Sequence, residues 1–592
     1  MQLACPCVRR RALARILEPA LYIRVHTDII GSTFFAGVAL LTLAAPFELT
    51  APLLRLPRQS VSNLEAAVVC ACVCAAAAVI WSRRLPEWRT PLTSPWIALL
   101  LAMAAASVLS PVSRVNAFHM TGRAAAAFGV YLLASSGVTT LSRLRAALTL
   151  AVAVGVVISA LAILEYRGVR PVLSALKAFR PDLTTVGTQV RAGGPLQYPT
   201  IASMYLEVVF AMGLGVMLAA LDAGRHARVV GLFVALAVIA EAITLTFTRA
   251  GLITMAASLL LVGGLRRPRA ADAGTALLAG LAVVVALLLA GSRSPESLWL
   301  RMTSEGQESW YRARIAAPPE IELPTGRLST VPITISNTGR LPWDSSALSP
   351  TLASYHWLAA DGDRFVRFEG ERTPFTAPVL PAATVSIAMQ VRAPRQPGRY
   401  RLEWDVVQEG RLWFSTEPGA ARVMSRAVVS GAAADGPPKT TPPPRPTLRP
   451  GRLVLWRAAV RMFAAHPFAG VGPDNFRLAY GSYLGLRGTD QRTHSNNMYL
   501  EMLAGGGLLV AAAFAWLLWR SASCTIALAR RGGGAAGAIA LGLAAAVLAI
   551  AVHASVDSFI SFAPTYVLFS LTLGCAVACA RGMELPADAH RV

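Results

Sequence analysis

The stretch Gln491–Trp519 reads "QRTHSNNMYLEMLAGGGLLVAAAFAWLLW". From Met498 to Trp519 it is apolar apart from Glu501. A bilayer core about 30 Å thick is crossed by roughly 20 such residues in a helix. The stretch is therefore a membrane span with a polar cluster at its mouth. Eleven further segments have the same character. The twelve lie near 28–46, 63–81, 95–110, 117–137, 146–164, 200–221, 229–247, 249–265, 274–291, 498–519, 534–552 and 562–580. The seventh and eighth meet at "TFTRAG", which predicts a tight hairpin or a broken helix. The fold class that follows is an all-α polytopic membrane protein.

Composition agrees. Of 592 residues, 55% are hydrophobic and 15% charged, against about 25% charged in soluble domains. The formal net charge is +23, which raises nucleic-acid binding as a reading. The arginines instead fall in short clusters between apolar spans, where topology accounts for them, so no nucleic-acid partner is expected. With a cytoplasmic N-terminus, the inside segments hold Arg9, Arg10, Arg11 and Arg15, then Arg83, Arg84 and Arg89, then Arg143 and Arg145. They also hold Arg225 and Arg228, Arg266, Arg267 and Arg269, and Arg530 and Arg531. The short outside loops hold far fewer. Both termini are expected inside. The N-terminus is basic but lacks an apolar run before a small-residue cleavage site, so the first span is expected to direct insertion itself. The eight cysteines avoid the long polar segments, which argues against a disulfide framework.

Two long segments then fall outside, about 166–198 and 292–497. In the second, "VPITISNTG", "VSIAMQVRAP", "GRYRLEWDVVQEG" and "RLWFSTE" alternate apolar with polar residues or carry β-branched and aromatic runs between turn residues. They predict an immunoglobulin-like β-sandwich over 321–421, inserted into the helical chain. "SNTGRLPW" and "PGRYRLEWDVVQEGRLWF" resemble Trp-containing Ig-like modules of the kind also found in autophagy receptors, which implies binding or spacing. The expected organisation is nine spans in 1–291, a linker over 292–320, and the sandwich. A proline-rich linker over 422–450, a helix and active-site loop over 451–497, and three spans in 498–592 complete it. In "RLVLWRAAVRMF" (452–463), Leu453, Trp456, Ala459 and Phe463 recur at helical spacing. This fits an interfacial amphipathic helix or a helix packed on the loop.

Four outside-facing stretches carry candidate chemistry. Arg249 in "LTFTRAGL" is placed to clamp a phosphate with its planar fork, helped by Thr246 and Thr248, or to snorkel to the interface. "QVRAGGPLQYPT" puts Arg191 before two glycines that permit close backbone approach. "HPFAGVGPDNFRLAYGSYLG" has turns at Gly470, Gly472 and Pro473, with Tyr480 and Tyr483 as surfaces for a sugar. In "THSNN", His494 has the proton affinity of a general base near neutral pH, with Asn496 and Asn497 as orienting groups, while a helix cap is the alternative. Glu207 and Glu241 lie in apolar runs and are expected to pair with arginines such as Arg123 or Arg249.

In combination these elements resemble the O-antigen ligase and polymerase superfamily. "HPFAGVGPDNF", "THSNNMYLEMLAGGGLLV", "FTRAG" and "RAGGPLQYPT" match its elements in order, and Asp557 in "SVDSFISFAP" resembles a late acidic position. The resemblance covers the helical core and not the insert. It implies a GT-C-like membrane fold and a metal-independent glycosyltransferase of the bacterial inner membrane, with 293–497 extracytoplasmic. Its donor would be a glycan on undecaprenyl pyrophosphate, its acceptor a lipid or glycan hydroxyl, with membrane lipids around it and no cofactor. Carried over, His494, Asn496 and Asn497 form the catalytic group. Arg249, Arg191 and Arg452 hold the pyrophosphate, and Tyr480 and Trp456 contact substrate. The family histidine, counted back from Tyr499-Leu500-Glu501, falls on Asn496, with His494 two residues earlier. Gly505 and Val510 also replace family residues. Ligation, polymerisation of lipid-linked repeat units, and transport of a lipid-linked glycan remain as alternative functions.

Overall fold

The computed structural model describes residues 29–56, 59–83, 85–86, 88–180, 183–186, 189–266, 273–291, 310–347, 350–362, 364–409, 412–417, 420–431, 452–485, 491 and 493–584. Every one of the twelve expected spans coincides with a helix. In chain order these are α1 (Ile29–Ala44), α2 (Asn63–Ser82), α3 (Thr93–Val108), α4 (Arg114–Gly137) and α5 (Leu141–Tyr166). A short α6 (Arg170–Leu176) precedes α7 (Pro199–Asp222), α8 (His226–Leu245), α9 (Arg249–Leu265) and α10 (Ala273–Gly291). After the β-rich insert come α11 (Arg452–Ala465), α12 (Phe476–Leu484), α13 (Met498–Arg531), α14 (Gly534–His553) and α15 (Ala563–Glu584). Among the described residues, seven helices are long and apolar enough to cross a membrane and four shorter apolar ones accompany them, with α4 in neither group. The chain is a multi-pass membrane protein by these criteria.

The bundle centres on α7, buried from Ile201 to Ala220. It lies closely against α14 because glycines face each other. A Cβ on Gly215 would meet the Gly542 Cα at 2.9 Å and the Ala538 carbonyl oxygen at 2.9 Å. Lipid tails are as apolar as leucine, so such close backbone packing, not exclusion of water, holds membrane helices together.

Two small hairpins, Leu54–Leu56 (β1) with Gln59–Val61 (β2) and Thr185–Val186 (β3) with Gln189–Val190 (β4), sit in the loops. The insert comprises β5 (Ala313–Ala316), β6 (Glu320–Pro324), β7 (Leu328–Asn337), β8 (Thr351–Ala359), β9 (Phe365–Arg367) and β10 (Thr373–Pro374). It continues with β11 (Thr384–Arg392), β12 (Gly398–Gln408), β13 (Leu412–Trp413) and β14 (Val423–Ser430). A seven-stranded sheet has the path β10-β8-β12-β14-β6, with β13 paired to β12 and β9 to β8. The other sheet runs β11-β7-β5. Alternation along β7 buries Val331, Ile333 and Ile335, which pack with Trp357, Leu402 and Trp404 from the larger sheet. The Trp357 indole donates to the Arg392 carbonyl at 3.0 Å, and the Arg392 amide donates to the Tyr355 hydroxyl at 2.8 Å, tying the two sheets together.

The strands extend beyond 321–421 on both sides. Two of them, "ARIA" and "VMSRAVVS", fall in stretches expected to be linkers: the first is a four-residue edge strand, too short to show alternation, and the second is an eight-residue strand with alternating burial between β12 and β6 of the larger sheet. The rest of the proline-rich linker and residues 292–309 lie outside the described residues. Helix α11 also presents a different face from the expected one. It buries Leu455, Ala458, Ala459 and Met462 against α12 and α13, whereas Leu453 is exposed.

Candidate functional site

The polar cluster at the mouth of α13 resolves residue by residue. Asn497 is the N-cap: its side chain accepts from the Leu500 amide at 3.1 Å. Asn496 takes a positive φ of 52°, a conformation asparagine tolerates better than most residues. The helix thus begins only at Met498, whose amide donates to the Ala554 carbonyl at 2.8 Å. His494 stands before this turn and is no cap.

Glu501, in the first turn of α13, reaches back over the turn. Its Oε2 accepts from the Ser495 amide at 3.0 Å and the Ser495 hydroxyl at 2.6 Å. Its Oε1 lies 3.5 Å from His494 Nδ1, and Asp474 Oδ1 lies 4.0 Å from the same nitrogen. At this separation the pairing is electrostatic: neither His494 Nδ1 nor Glu501 Oε1 has a hydrogen bond among the described residues. Asp474 is oriented by Arg477 Nε at 2.8 Å and by the Asn116 amide nitrogen at 3.1 Å. The Trp456 indole donates to the Ser495 carbonyl at 3.1 Å and so fixes the loop. Burial opposes the charged imidazolium, but the Glu501 and Asp474 carboxylates outweigh it and hold the His494 pKa above its ordinary value, with Arg477 opposing.

The segment before this cluster explains the run of glycines. Gly507 departs from helical geometry (φ 61°, ψ −160°), so α13 is two helices joined at a kink. The loop Pro467–Gly472 bonds to the exposed backbone. Val471 and Gly472 amides donate to the Ala504 and Gly505 carbonyls at 2.9 and 2.8 Å, and the Leu508 amide donates to the Pro467 carbonyl at 2.8 Å. A Cβ on Gly507 would meet the Phe468 carbonyl at 2.4 Å. Asn475 then anchors the loop to the α3–α4 connection, donating to Ser110 Oγ at 2.8 Å and to the Ser113 carbonyl at 2.9 Å. These bonds carry Asp474 to His494.

A second group forms at the α8–α9 junction. The chain reverses at Phe247, buried with φ 53°, so "TFTRAG" is a hairpin turn. Arg191 Nε donates to the Thr246 carbonyl at 2.9 Å, and its NH2 donates to Thr248 Oγ1 at 3.3 Å. Arg191 is thereby fastened to the turn whose next residue, Arg249, opens α9. The glycines after Arg191 serve another end. The amides of Gly193 and Gly194 donate to Glu165 Oε2 at 2.9 and 2.8 Å. Glu165 also pairs with Arg180.

Between the two groups lies a buried pair. Glu207 accepts from the Ser203 hydroxyl at 2.5 Å and sits 2.8 Å from His553 Nδ1. Gly251 of α9 packs on Ser203 and Glu207. Glu207 thus has a histidine as its partner, and Arg123, one of the two arginines expected to pair with such a carboxylate, lies 3.5 Å from Glu65. Arg452 and Asp557 lie within electrostatic reach of His553.

The structure therefore gathers His494, Asn496, Asn497 and Trp456 in one place, and Arg191 with Arg249 in another, at the same end of the bundle. Tyr480 does not join them. It is fully buried, stacked on Phe476 with ring centroids 5.8 Å apart, and presents no face to a sugar. The residues missed from sequence are Asp474, Arg477, Asn116 and Ser495, together with the role of Glu501. Asp474 follows the Gly470–Pro473 turns directly, which is the one local sign of its placement. Asp474, His494 and Glu501 also present donor atoms within 4.8 Å of one another, a group with the spacing to hold a metal ion.

Residues 430–515 match the model of the O-antigen ligase family. The matched segment contains Asp474, His494 and Glu501. It bears out the resemblance read from the motifs and supports a function of the ligase or polymerase type. No curated protein matches the chain.

Proposed function

We propose that the protein transfers a glycan from undecaprenyl pyrophosphate to an acceptor hydroxyl at the outer face of the bacterial inner membrane. The observation that carries this reading is a carboxylate-backed histidine inside the family-matched segment, at the same bundle end as the two arginines of the α8–α9 turn. With Nδ1–H turned toward Glu501 and Asp474, the lone pair of His494 lies on Nε2, the arrangement of a histidine base backed by a carboxylate. His494 Nε2 takes the acceptor proton as the hydroxyl oxygen bonds to the anomeric carbon. The bond from that carbon to the phosphate oxygen breaks, and the lipid pyrophosphate leaves with the electron pair. Arg191 and Arg249 stabilise the charge that develops on it. Arg452 is a third cation for the donor. Asn497 fixes the helix start, Asn496 the turn, and Trp456 the backbone at Ser495, so these three position the base.

The test incubates purified full-length protein with a lipid-linked oligosaccharide and separate hydroxyl acceptors. Transfer to the non-prenyl acceptor supports ligation. Lengthened lipid-linked glycan in its place assigns polymerisation. Absence of both products overturns the transferase reading.

A further inference from the structure

At the bundle end opposite His494, a groove of about 930 Å³ opens between the first half of α5, the last turns of α7 and the start of α8. Its walls are made of small residues, among them Ala146, Ala153, Ala219 and Ala220. A Cβ on Gly231, at its edge, would meet nothing within 4 Å. Arg145, Arg225 and Arg228 line the same groove. The side chains of these three make no hydrogen bond or ion pair with the described residues. The nearest acidic side chain in sequence, Asp222, is engaged by Arg266 at 2.7 Å.

We propose that this groove is a binding site for an anionic diacyl phospholipid. An apolar trough between membrane helices accepts acyl chains. Three arginines beside it, with no carboxylate among the described residues to neutralise them, favour a phosphate with net negative charge over a zwitterionic headgroup. Arginine placement assigns this end to the cytoplasmic leaflet, so the site is separate from the transfer chemistry. Topology alone explains arginines at this end of the helices, but gives no reason for a trough beside them. Arg530 and Arg531, at the end of α13, have the topological role and do not line the groove. They serve as the control.

The experiment uses the full chain, delipidated in mild detergent and titrated with phosphatidylglycerol or phosphatidylcholine. Native mass spectrometry counts the bound lipid. The expected result is a preference for phosphatidylglycerol of roughly tenfold or more, as the headgroup contribution of several arginines implies. Arg145→Gln/Arg225→Gln/Arg228→Gln removes the preference, and Arg530→Gln/Arg531→Gln leaves it in place. Gly231→Leu, which projects a side chain into the groove edge, lowers retention of the lipid while keeping all three charges. Equal binding of the two lipids, or equal loss in the triple variant and the control, overturns the proposal. If the triple variant does not fold, retention unchanged in Gly231→Leu overturns it, and reduced retention there supports it.

Discussion

His494 is held in a small electrostatic frame, and the frame makes its titration the first quantity to measure. With the pKa above its ordinary value, the imidazole loses its proton later than a free histidine does. The neutral form is the base, so the acidic limb of the transfer rate should rise through a value above about 6.5. Glu501→Gln keeps an acceptor for Ser495 but removes the nearest charge, and should move that limb toward lower pH. A limb at the same pH in both proteins would separate His494 from the rate. The stability sign runs the other way. Protonated His494 gains its partners only in the fold, so its contribution is complete below about 6.5 and is lost as pH rises through the folded pKa. His494→Ala should lower transfer by about 10²–10⁴-fold with donor binding retained, while alanine at His466, the histidine that opens "HPFAGVGPDNF", keeps most activity. A rate near that of the unmodified protein would leave the histidine with no catalytic role. The same three side chains make chelation informative. In the reading without metal, EDTA leaves transfer unchanged. Loss that a divalent cation restores would instead assign Asp474, His494 and Glu501 to an ion.

At the scale of elements, the α8–α9 turn concentrates the donor question. Arg191 is bound to Thr246 and Thr248, and Arg249 follows directly in the first turn of α9. Arg249→Lys preserves charge but not the planar fork that meets two phosphate oxygens. It should weaken donor binding and slow transfer strongly, whereas Lys in place of a merely snorkelling arginine would be neutral. The helices themselves were legible because a span announces itself in about 20 consecutive residues. The turn was legible because Arg249 is a charge between two apolar runs. What joins Arg191 to it was not, since a loop residue after β4 and a turn between two helices share no periodicity. The two-residue offset of His494 is absorbed by a helix that begins after Asn496, a start that the N-cap asparagine at 497 marks in the sequence. Tyr480 shows the opposite failure. An aromatic residue in a loop reads as a sugar surface, but at its position on α12 it faces α11 and completes a core.

Across the whole molecule, the sandwich and the helical bundle are two hydrophobic cores that meet, among the described residues, at Phe247 and Tyr166. Phe247 is buried in the same cluster as Trp310, Tyr311 and the sandwich interior, and Tyr166 of α5 approaches it with ring centroids 6.5 Å apart. A cysteine at Ser386 should therefore label from the same side of the membrane as one at Phe468, with an impermeant reagent in intact cells; labelling from opposite sides would break the topology. The contact also decides how much the insert matters. Arg191 bonds to Thr246 and Thr248, Glu207 to Ser203, Glu501 to Ser495 and Asp474 to Arg477, all within the helices and their loops. Replacing 310–431 by a flexible linker removes the cover of Phe247 but none of these bonds. Turnover at saturating acceptor should stay within roughly tenfold, about 1.4 kcal/mol of barrier, while the acceptor KM changes. Phe247→Ser in the deleted chain removes the apolar surface left exposed, so a deletion inactive only through aggregation would recover. A folded, monodisperse deletion with no transfer, unchanged by Phe247→Ser, would show that the sandwich takes part in the reaction itself.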